Sequence, residues 1–163
     1  MKKLLVLTLV LGVASGASAA LVFVDAPVAP INIGDSVAIT VNNSDDGAYS
    51  GWLEIVDQTA AGYDGDPVFT VAGNPNGDSQ FDVFVEYPGW YQFTVASFDT
   101  ANPIVAGDHI QVNVIGISEG SSVLNLYASD GVTLLDSATV NVIPEPMTIA
   151  LLGLGGLFLR RRS

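Results

Sequence analysis

Apolar and polar residues alternate along most of the chain between residues 20 and 143. The clearest runs are Val37–Val41, Ile110–Val114 and Ala138–Val142, where every second side chain is apolar. Successive side chains of a β-strand point to opposite faces, so this period predicts half-buried strands. Shorter runs with the same character predict further strands at Gly51–Val56, Val68–Val71, Phe81–Val85, Trp90–Ala96 and Val123–Tyr127.

Turn-forming residues separate these runs. Gly, Asn, Asp and Pro are concentrated in the segments 42–47, 64–67, 74–78 and 129–131. These residue types favour tight turns, and the region shows no sustained apolar repeat at the helical period. The sequence therefore predicts one all-β domain over residues 20–143, a single β-sandwich of about eight to nine short antiparallel strands.

A short pattern occurs twice within this domain. Gly34-Asp35 precedes the first of the clear strands, and Gly107-Asp108 precedes the second. The repetition indicates either an internal duplication or two independent uses of the same turn. The Gly-Asp-then-strand pattern resembles bacterial Ig-like and cohesin-like modules of secreted proteins. That resemblance implies a β-sandwich fold and leaves the function open.

The N-terminal residues have the three parts of a secretory signal peptide. Two lysines precede an apolar run, and small residues follow it. Ala17 and Ala19 fit the small-x-small pattern that signal peptidase requires, which places the cut before Ala20. Ser18 and Ala20 would place it one residue later. The sequence thus predicts a signal-peptide helix over residues 1–19.

The C-terminal residues carry a second apolar segment. Pro144-Glu145-Pro146 precedes an apolar run over 147–159, and Arg160, Arg161 and Arg162 follow it. As a helix, the thirteen residues of this run span about 20 Å, less than the roughly 30 Å of a hydrocarbon layer. A short transmembrane helix of this kind favours a transient anchor, with the arginines on the cytoplasmic side.

These C-terminal residues resemble the PEP-CTERM protein-sorting signal, which would occupy residues 144–163. The resemblance implies recognition in the inner membrane by an exosortase, a membrane-embedded cysteine-protease-like enzyme, with cleavage near Pro144-Glu145-Pro146. It also implies delivery to the cell surface or extracellular matrix of a Gram-negative-type bacterium that makes exopolysaccharide. The predicted membrane segment includes the large apolar residues Met147, Leu151, Leu152, Leu154, Leu157, Phe158 and Leu159.

Charge is distributed very unevenly along the chain. Among 163 residues there are five Lys or Arg, 17 Asp or Glu, one His and no Cys. No Lys or Arg occurs between Leu4 and Leu159. A domain without cations has no basic surface for nucleic acid, and a chain without Cys has no disulfides or thiolate metal ligands. The excess of acids instead indicates a surface that responds to cations.

Two loop segments offer oxygen ligands for calcium. The candidate ligands are Asp64, Asp66, Asn74, Asn76, Asp78 and Asp82. The second segment does not fit the EF-hand loop, because Ser79 and Val85 stand where that loop has Gly and Glu. Asp and Asn are also common in turns. A specific calcium site and diffuse cation association are therefore both compatible with the sequence, and no cofactor is required.

Few residues suggest catalysis. His109 is the only histidine, and alternation places it at an outward or rim position of its strand. A hydrolytic triad on this sequence would need this histidine as its base. Glu54 and Glu86 are candidate glycosidase carboxylates, but both fit solvent-facing strand positions. We therefore expect a protein that is not an enzyme.

Aromatic side chains provide candidates for carbohydrate binding. Trp90 shares one strand face with Gln92 and is predicted to point outward, with Tyr87 nearby. Trp52 and Glu54 share a face of another strand, an arrangement that suits a sugar subsite. The opposite face of the Trp90 strand is more apolar and is predicted to be core; it carries Tyr91, Phe93 and Val95.

Together these features predict an exported, non-catalytic protein of the cell envelope or extracellular matrix. Its role would be structural or adhesive, through an acidic, cation-responsive surface. The expected partners are signal peptidase, exosortase, the inner membrane during transit, and exopolysaccharide or envelope components. The alternative is a carbohydrate-binding module that acts through Trp90, Tyr87 and Trp52.

Overall fold

The computed structural model describes residues 21–69, 79–97 and 103–145, and for residues 79–87 it describes the backbone only. Within these ranges the chain forms eleven β-strands and no helix. The strands are β1 (Leu21–Val24), β2 (Ile31–Asn32), β3 (Ser36–Asn43), β4 (Tyr49–Ile55), β5 (Ala61–Tyr63), β6 (Val68–Phe69), β7 (Ser79–Tyr87), β8 (Trp90–Ser97), β9 (Gly107–Gly116), β10 (Gly120–Tyr127) and β11 (Leu134–Ile143).

The strands form the two sheets of a sandwich. The five-stranded sheet has the order β1-β3-β9-β5, and β6 also pairs with β9. The six-stranded sheet has the order β2-β11-β10-β4-β8-β7. Strands β2 and β11 run parallel, and the other described pairs are antiparallel. The predicted all-β sandwich is confirmed, with one parallel pair in place of a purely antiparallel arrangement. The predicted terminal helices lie outside the described residues.

The first described segment contributes to both sheets. Strand β1 pairs with β3 in one sheet and β2 pairs with β11 in the other, so the chain changes sheet between them. Asp25, at the end of β1, has a φ of 62°, a left-handed conformation that turns the backbone. The Phe23 N–H donates to Asp136 Oδ2 at 2.8 Å, which connects β1 to β11. This bond links the two sheets along one side of the sandwich.

The core fills the space between the sheets with alternate side chains from both. In β8, Phe93 and Val95 are fully buried and Tyr91 is half-buried, which confirms the predicted core face of this strand. Gly51 of β4 leaves room for this packing, because a Cβ there would lie 2.7 Å from the Phe93 ring. Other fully buried side chains from the two sheets are Ile39, Leu53, Ile110, Val112, Leu124 and Leu126.

All eight predicted strand segments overlap observed strands. Three further strands, β1, β2 and β5, contain only four, two and three residues, too few for alternation to mark them. The repeated Gly-Asp pair serves two roles. Gly34 lies in the turn before β3, whereas Gly107 is the first residue of β9.

Candidate binding face

The outer face of the six-stranded sheet carries aromatic side chains on three adjacent strands. Trp52 lies on β4, Trp90 on β8 and Tyr127 on β10, and all three are half-buried. Their neighbours along the strands, Leu53 and Leu126 among them, point inward and are fully buried. The period of the strands therefore places these three rings on the outside, where they form what we term the outer aromatic cluster.

The rings of the outer aromatic cluster pack against one another. Trp90 and Tyr127 are stacked, with centroids 5.5 Å apart and planes 15° apart. Trp52 meets Trp90 edge-on, at 6.4 Å and 75°. Neighbouring strands lie about 4.8 Å apart, so β8 and β10, with β4 between them, are separated by roughly 10 Å. The side chains of Trp90 and Tyr127 must therefore lean towards each other across β4.

Glu54 lies in the middle of this arrangement. It is opposite Trp90 on one side of β4 and opposite Asn125 on the other. The Tyr127 hydroxyl donates to Glu54 Oε2 at 2.7 Å, and Asn125 Nδ2 donates to the same oxygen at 3.1 Å. The hydrogen bond to Glu54 is the main reason that the pKa of the Tyr127 phenol is raised, with burial adding to it. The Glu54 carboxylate thus lies among aromatic rings and neutral donors.

The β10–β11 turn holds one edge of the cluster. Trp52 Nε1 donates to the Ser129 carbonyl at 3.3 Å. Asp130 organises the same turn, because its carboxylate accepts from the backbone N–H of Val132 at 2.9 Å and from that of Thr133 at 2.8 Å. Together with the Thr133 hydroxyl, these donors lower the pKa of Asp130 to about 2. The turn is thereby fixed against the Trp52 ring.

Two of the three residues predicted for carbohydrate binding lie in the cluster. Trp52 and Trp90 are in ring contact. Tyr87 pairs with Trp90 across the β7–β8 turn, but its side chain is not among those that the structure describes. Tyr127 was not predicted. Alternation along Val123–Tyr127 places it on an outer face, but its proximity to Trp90 depends on the order of strands, which the sequence pattern does not give.

The candidate calcium ligands are only partly described. Asp64 and Asp66 are exposed between β5 and β6, and Asp66 Oδ1 accepts a hydrogen bond from the Tyr91 hydroxyl at 3.0 Å. Burial and this bond raise the pKa of Tyr91. Asn74, Asn76 and Asp78, together with the side chain of Asp82, lie outside the description. Among the described side chains, no three His, Cys, Asp or Glu residues come together as a metal site.

The prediction that His109 lies outward or at the rim is wrong. A β-bulge between β3 and β9 changes the pairing: Val41 lies opposite Ile110, but Asn42 lies opposite Asp108. His109 is the extra residue, so it and Ile110 are both buried in succession. A bulge redirects a side chain in this way because it adds a residue to one strand only. Alternation alone cannot show it.

Inside the sandwich, His109 bonds to a tyrosine. Its Nδ1 lies 2.7 Å from the Tyr49 hydroxyl, and the two rings are stacked at 5.5 Å. Phe69 packs on the same imidazole at 5.9 Å. Burial lowers the pKa of His109, although the Val105 carbonyl and the Asp108 charge act against it. This histidine is therefore a neutral core residue, and none of its described side-chain hydrogen bonds is to a serine.

The residues predicted to carry the sorting motif follow the last strand directly. Strand β11 ends at Ile143, Pro144 is half-buried and Glu145 is exposed. Pro146 and the residues after it, including the apolar run and the arginines, lie outside the description, as do Ala17, Ala19 and Ala20. In the part of the chain that is described, no helix is long and apolar enough to cross a membrane.

Comparison with known proteins relates this architecture to one class of fold. No protein-family model and no curated protein matches the chain. Solved structures do match. A cohesin module from a Clostridium perfringens family 33 glycoside hydrolase is 18% identical, with a TM-score of 0.54 over 78% of this chain and 100% of that module. A second cohesin, from Clostridium acetobutylicum, is 18% identical, with a TM-score of 0.56 over 76% and 90% of the two chains.

A third similar structure contains a bound partner. The sixth cohesin of scaffoldin B from Acetivibrio cellulolyticus was solved in complex with a dockerin. It is 16% identical to this chain, with a TM-score of 0.54 over 76% of this chain and 97% of the cohesin. At this identity the similarity establishes the fold alone. The described domain is a cohesin-like β-sandwich.

Proposed function

We propose that this chain is an exported, non-catalytic protein of the cell envelope or extracellular matrix, and that its cohesin-like domain binds a protein partner through the outer face of the six-stranded sheet. The observation that carries the proposal is the outer aromatic cluster. Three half-buried aromatic side chains on neighbouring strands form a surface of the composition that protein interfaces favour.

The fold supports a binding role. The Acetivibrio cellulolyticus cohesin is similar in fold and was solved with a dockerin bound. The inner face of the sheet is occupied by the core, with Leu53 and Phe93 fully buried, so a partner of this sheet would contact its outer face. Rings already held by mutual packing lose little conformational freedom on binding, which favours affinity.

The proposed route to the cell surface rests on the terminal segments. Signal peptidase would cut before Ala20, and an exosortase would cut near Pro144-Glu145-Pro146 after a transient stay in the inner membrane. The last strand ends at Ile143, so this motif begins where pairing in the sheet stops. Prolines cannot continue a strand ladder, and they would keep the site extended and accessible between the domain and the bilayer.

The acidic surface would act in the same environment. Acids at exposed positions include Asp25, Asp35, Asp45, Asp46, Asp57, Asp64, Asp66, Asp108, Glu119 and Asp130. No lysine or arginine accompanies them between Leu4 and Leu159. Like charges repel acidic polysaccharide at low salt, and divalent cations screen or bridge them. We propose that calcium or similar ions modulate association with exopolysaccharide, with Asp64 and Asp66 among the oxygens available.

Site-specific photo-crosslinking tests the protein-binding proposal. A photoreactive residue at Gln92 would lie on the outer face beside Trp52, and a matched one at Asn113 would lie on the outer face of the other sheet. In the native host we expect a defined adduct from position 92 that is lost in Trp90→Ala and is absent from position 113. Equal labelling from both positions would contradict the proposal.

Mass spectrometry of the mature protein tests the sorting route. The expected form begins at Ala20 and ends near Pro144-Glu145-Pro146. A surface-located protein that still carries Arg160–Arg162 would contradict exosortase processing.

Carbohydrate binding is the second candidate function, and the contact between Trp52 and Trp90 favours it. Both tryptophans of the chain lie in the cluster, so their fluorescence reports on this face alone. A saturable change with oligosaccharides of the native exopolysaccharide, lost in Trp90→Ala, would support a sugar site. If the fluorescence does not change during the titration, a sugar site on this face is excluded.

A further inference from the structure

We propose that the partner which docks on the outer aromatic cluster presents a cationic side chain, best an arginine, to Glu54. The inference deepens the proposed protein-binding function and rests on it.

Glu54 has no cationic partner within its own domain. Its described hydrogen bonds come from a phenol and an amide, both neutral, and both end at Oε2. No lysine or arginine occurs between Leu4 and Leu159, so no side chain of the domain can neutralise this carboxylate. In the free protein Glu54 is half-buried and water still reaches it. Water supplies the stabilisation that a cation would otherwise provide.

A protein that covers the cluster removes the hydration of Glu54. Burying an unpaired carboxylate is costly, whereas burying it against a cation with good hydrogen bonds offsets much of that cost. A partner that covers Glu54 with neutral groups would therefore bind weakly. The charge of this one residue selects partners that bring a cation to it.

The aromatic rings around Glu54 favour a planar cation. Trp90 and Tyr127 lie beside the carboxylate and are stacked on each other, with planes 15° apart, while both keep part of their surface exposed. A guanidinium is planar, stacks on aromatic faces and donates two parallel hydrogen bonds to a carboxylate. The Glu54 Oε1 and Oε2 atoms together have more acceptor positions than the two described donors use. An arginine can therefore pack against the rings and donate hydrogen bonds to the carboxylate, whereas a lysine mainly supplies the positive charge.

A titration with short peptides tests this inference. The probe is Ac-Gly-Arg-Gly-Arg-Gly-NH2, added to the full chain in mild detergent and followed by tryptophan fluorescence. Matched probes replace arginine with lysine or with neutral citrulline. Glu54→Gln is the test variant. Glu119→Gln is its control, because it removes the same charge from an exposed position in the β9–β10 turn.

The expected result is that Glu54→Gln weakens the arginine peptide by about tenfold, and Glu119→Gln by less than about twofold. The lysine peptide should bind more weakly than the arginine peptide, and the citrulline peptide should not bind measurably. Equal weakening by the two variants would show diffuse attraction to an acidic surface and would overturn the inference. The inference would also be overturned if the citrulline peptide bound as tightly as the arginine peptide, or if the fluorescence responded to oligosaccharide and to none of the peptides.

The crosslinking experiment separates this inference from the function on which it rests. Position 92 could give a specific adduct while the Glu54→Gln and Glu119→Gln variants bind the arginine peptide equally well. That result would support the protein-binding face and would overturn the requirement for a cation at Glu54. Absence of an adduct from Gln92 would reject the face itself.

Discussion

The sandwich contains two tyrosines that make hydrogen bonds of the same length in opposite surroundings. Between the sheets, the Tyr49 hydroxyl lies 2.7 Å from His109 Nδ1. On the outer face, the Tyr127 hydroxyl donates to Glu54 Oε2 at 2.7 Å. His109 is fully buried, whereas Glu54 and Tyr127 keep part of their surface in water. The surroundings, more than the bond, determine what each pair does.

Burial keeps the inner pair neutral. It lowers the pKa of His109 and raises the pKa of Tyr49, so neither group ionises at neutral pH. The outer pair includes the Glu54 carboxylate, which accepts two hydrogen bonds and keeps part of its surface in water. A neutral buried pair contributes to folding, and a hydrated charged pair is available to a ligand. We therefore expect substitutions inside to change stability and those outside to change binding.

The largest effect on stability should come from a substitution in the core. Phe93→Ala removes a fully buried ring that contacts Tyr49 edge-on at 6.3 Å. We expect the free energy of unfolding, measured in urea, to fall by about 3–5 kcal/mol. Gln92→Ala, one residue away and half-buried on the outer face, should change it by less than about 0.5 kcal/mol. Similar losses would contradict the assignment of the two faces.

Removal of each tyrosine hydroxyl compares the pairs directly. Tyr49→Phe leaves His109 Nδ1 without its partner in a dry site, and we expect a loss of about 1–3 kcal/mol. Tyr127→Phe exposes Glu54 to water instead, so its loss should be below about 1 kcal/mol. Denaturant titrations of the two variants give both numbers. If Tyr127→Phe costs as much as Tyr49→Phe, the outer pair is structural.

Acid should destabilise the folded protein through the Tyr49–His109 pair. The folded pKa of His109 lies below the ordinary value of 6.5, so the unfolded chain takes up the proton more readily. The free energy of unfolding should fall as the pH drops below about 6.5, by at most about 1.4 kcal/mol per pH unit, until the lower folded pKa is reached. Thermal unfolding between pH 7.5 and 5 measures this.

His109 is the only histidine, so its imidazole can be observed directly. An NMR titration of the folded protein should give a pKa below 6.5. A value at or above 6.5 would show that the ring is not held neutral by burial.

The smallest effect should come from the turn beside the cluster. Asp130 is fully exposed, and the Thr133 and Val132 donors hold its pKa at about 2. This contribution to stability is present above the unfolded value of 3.8 and is lost as the pH falls towards 2. Asp130→Ala should loosen the turn and shift tryptophan emission slightly through Trp52. An unchanged spectrum would mean that the turn does not fix this ring.

How much of the structure the sequence predicts depends on how far apart along the chain the interacting residues lie. The strands with five or more alternating residues and the buried face of β8 were predictable, because period-two burial is a local property. The bulge at His109 depends on the register between β3 and β9. The meeting of Trp52, Trp90 and Tyr127 depends on β4 lying between β8 and β10. Both are long-range pairings that no single stretch of sequence contains.

An NMR footprint shows whether the arginine peptide docks on the outer face of the six-stranded sheet. The full chain, labelled with ¹⁵N in detergent micelles, would be titrated with the arginine peptide, and shifts of the backbone amides would be mapped. Shifts centred on β4, β8 and β10 around Glu54, and absent in Glu54→Gln, are the predicted result. Shifts centred on β9, or spread evenly over the exposed acids, would contradict it.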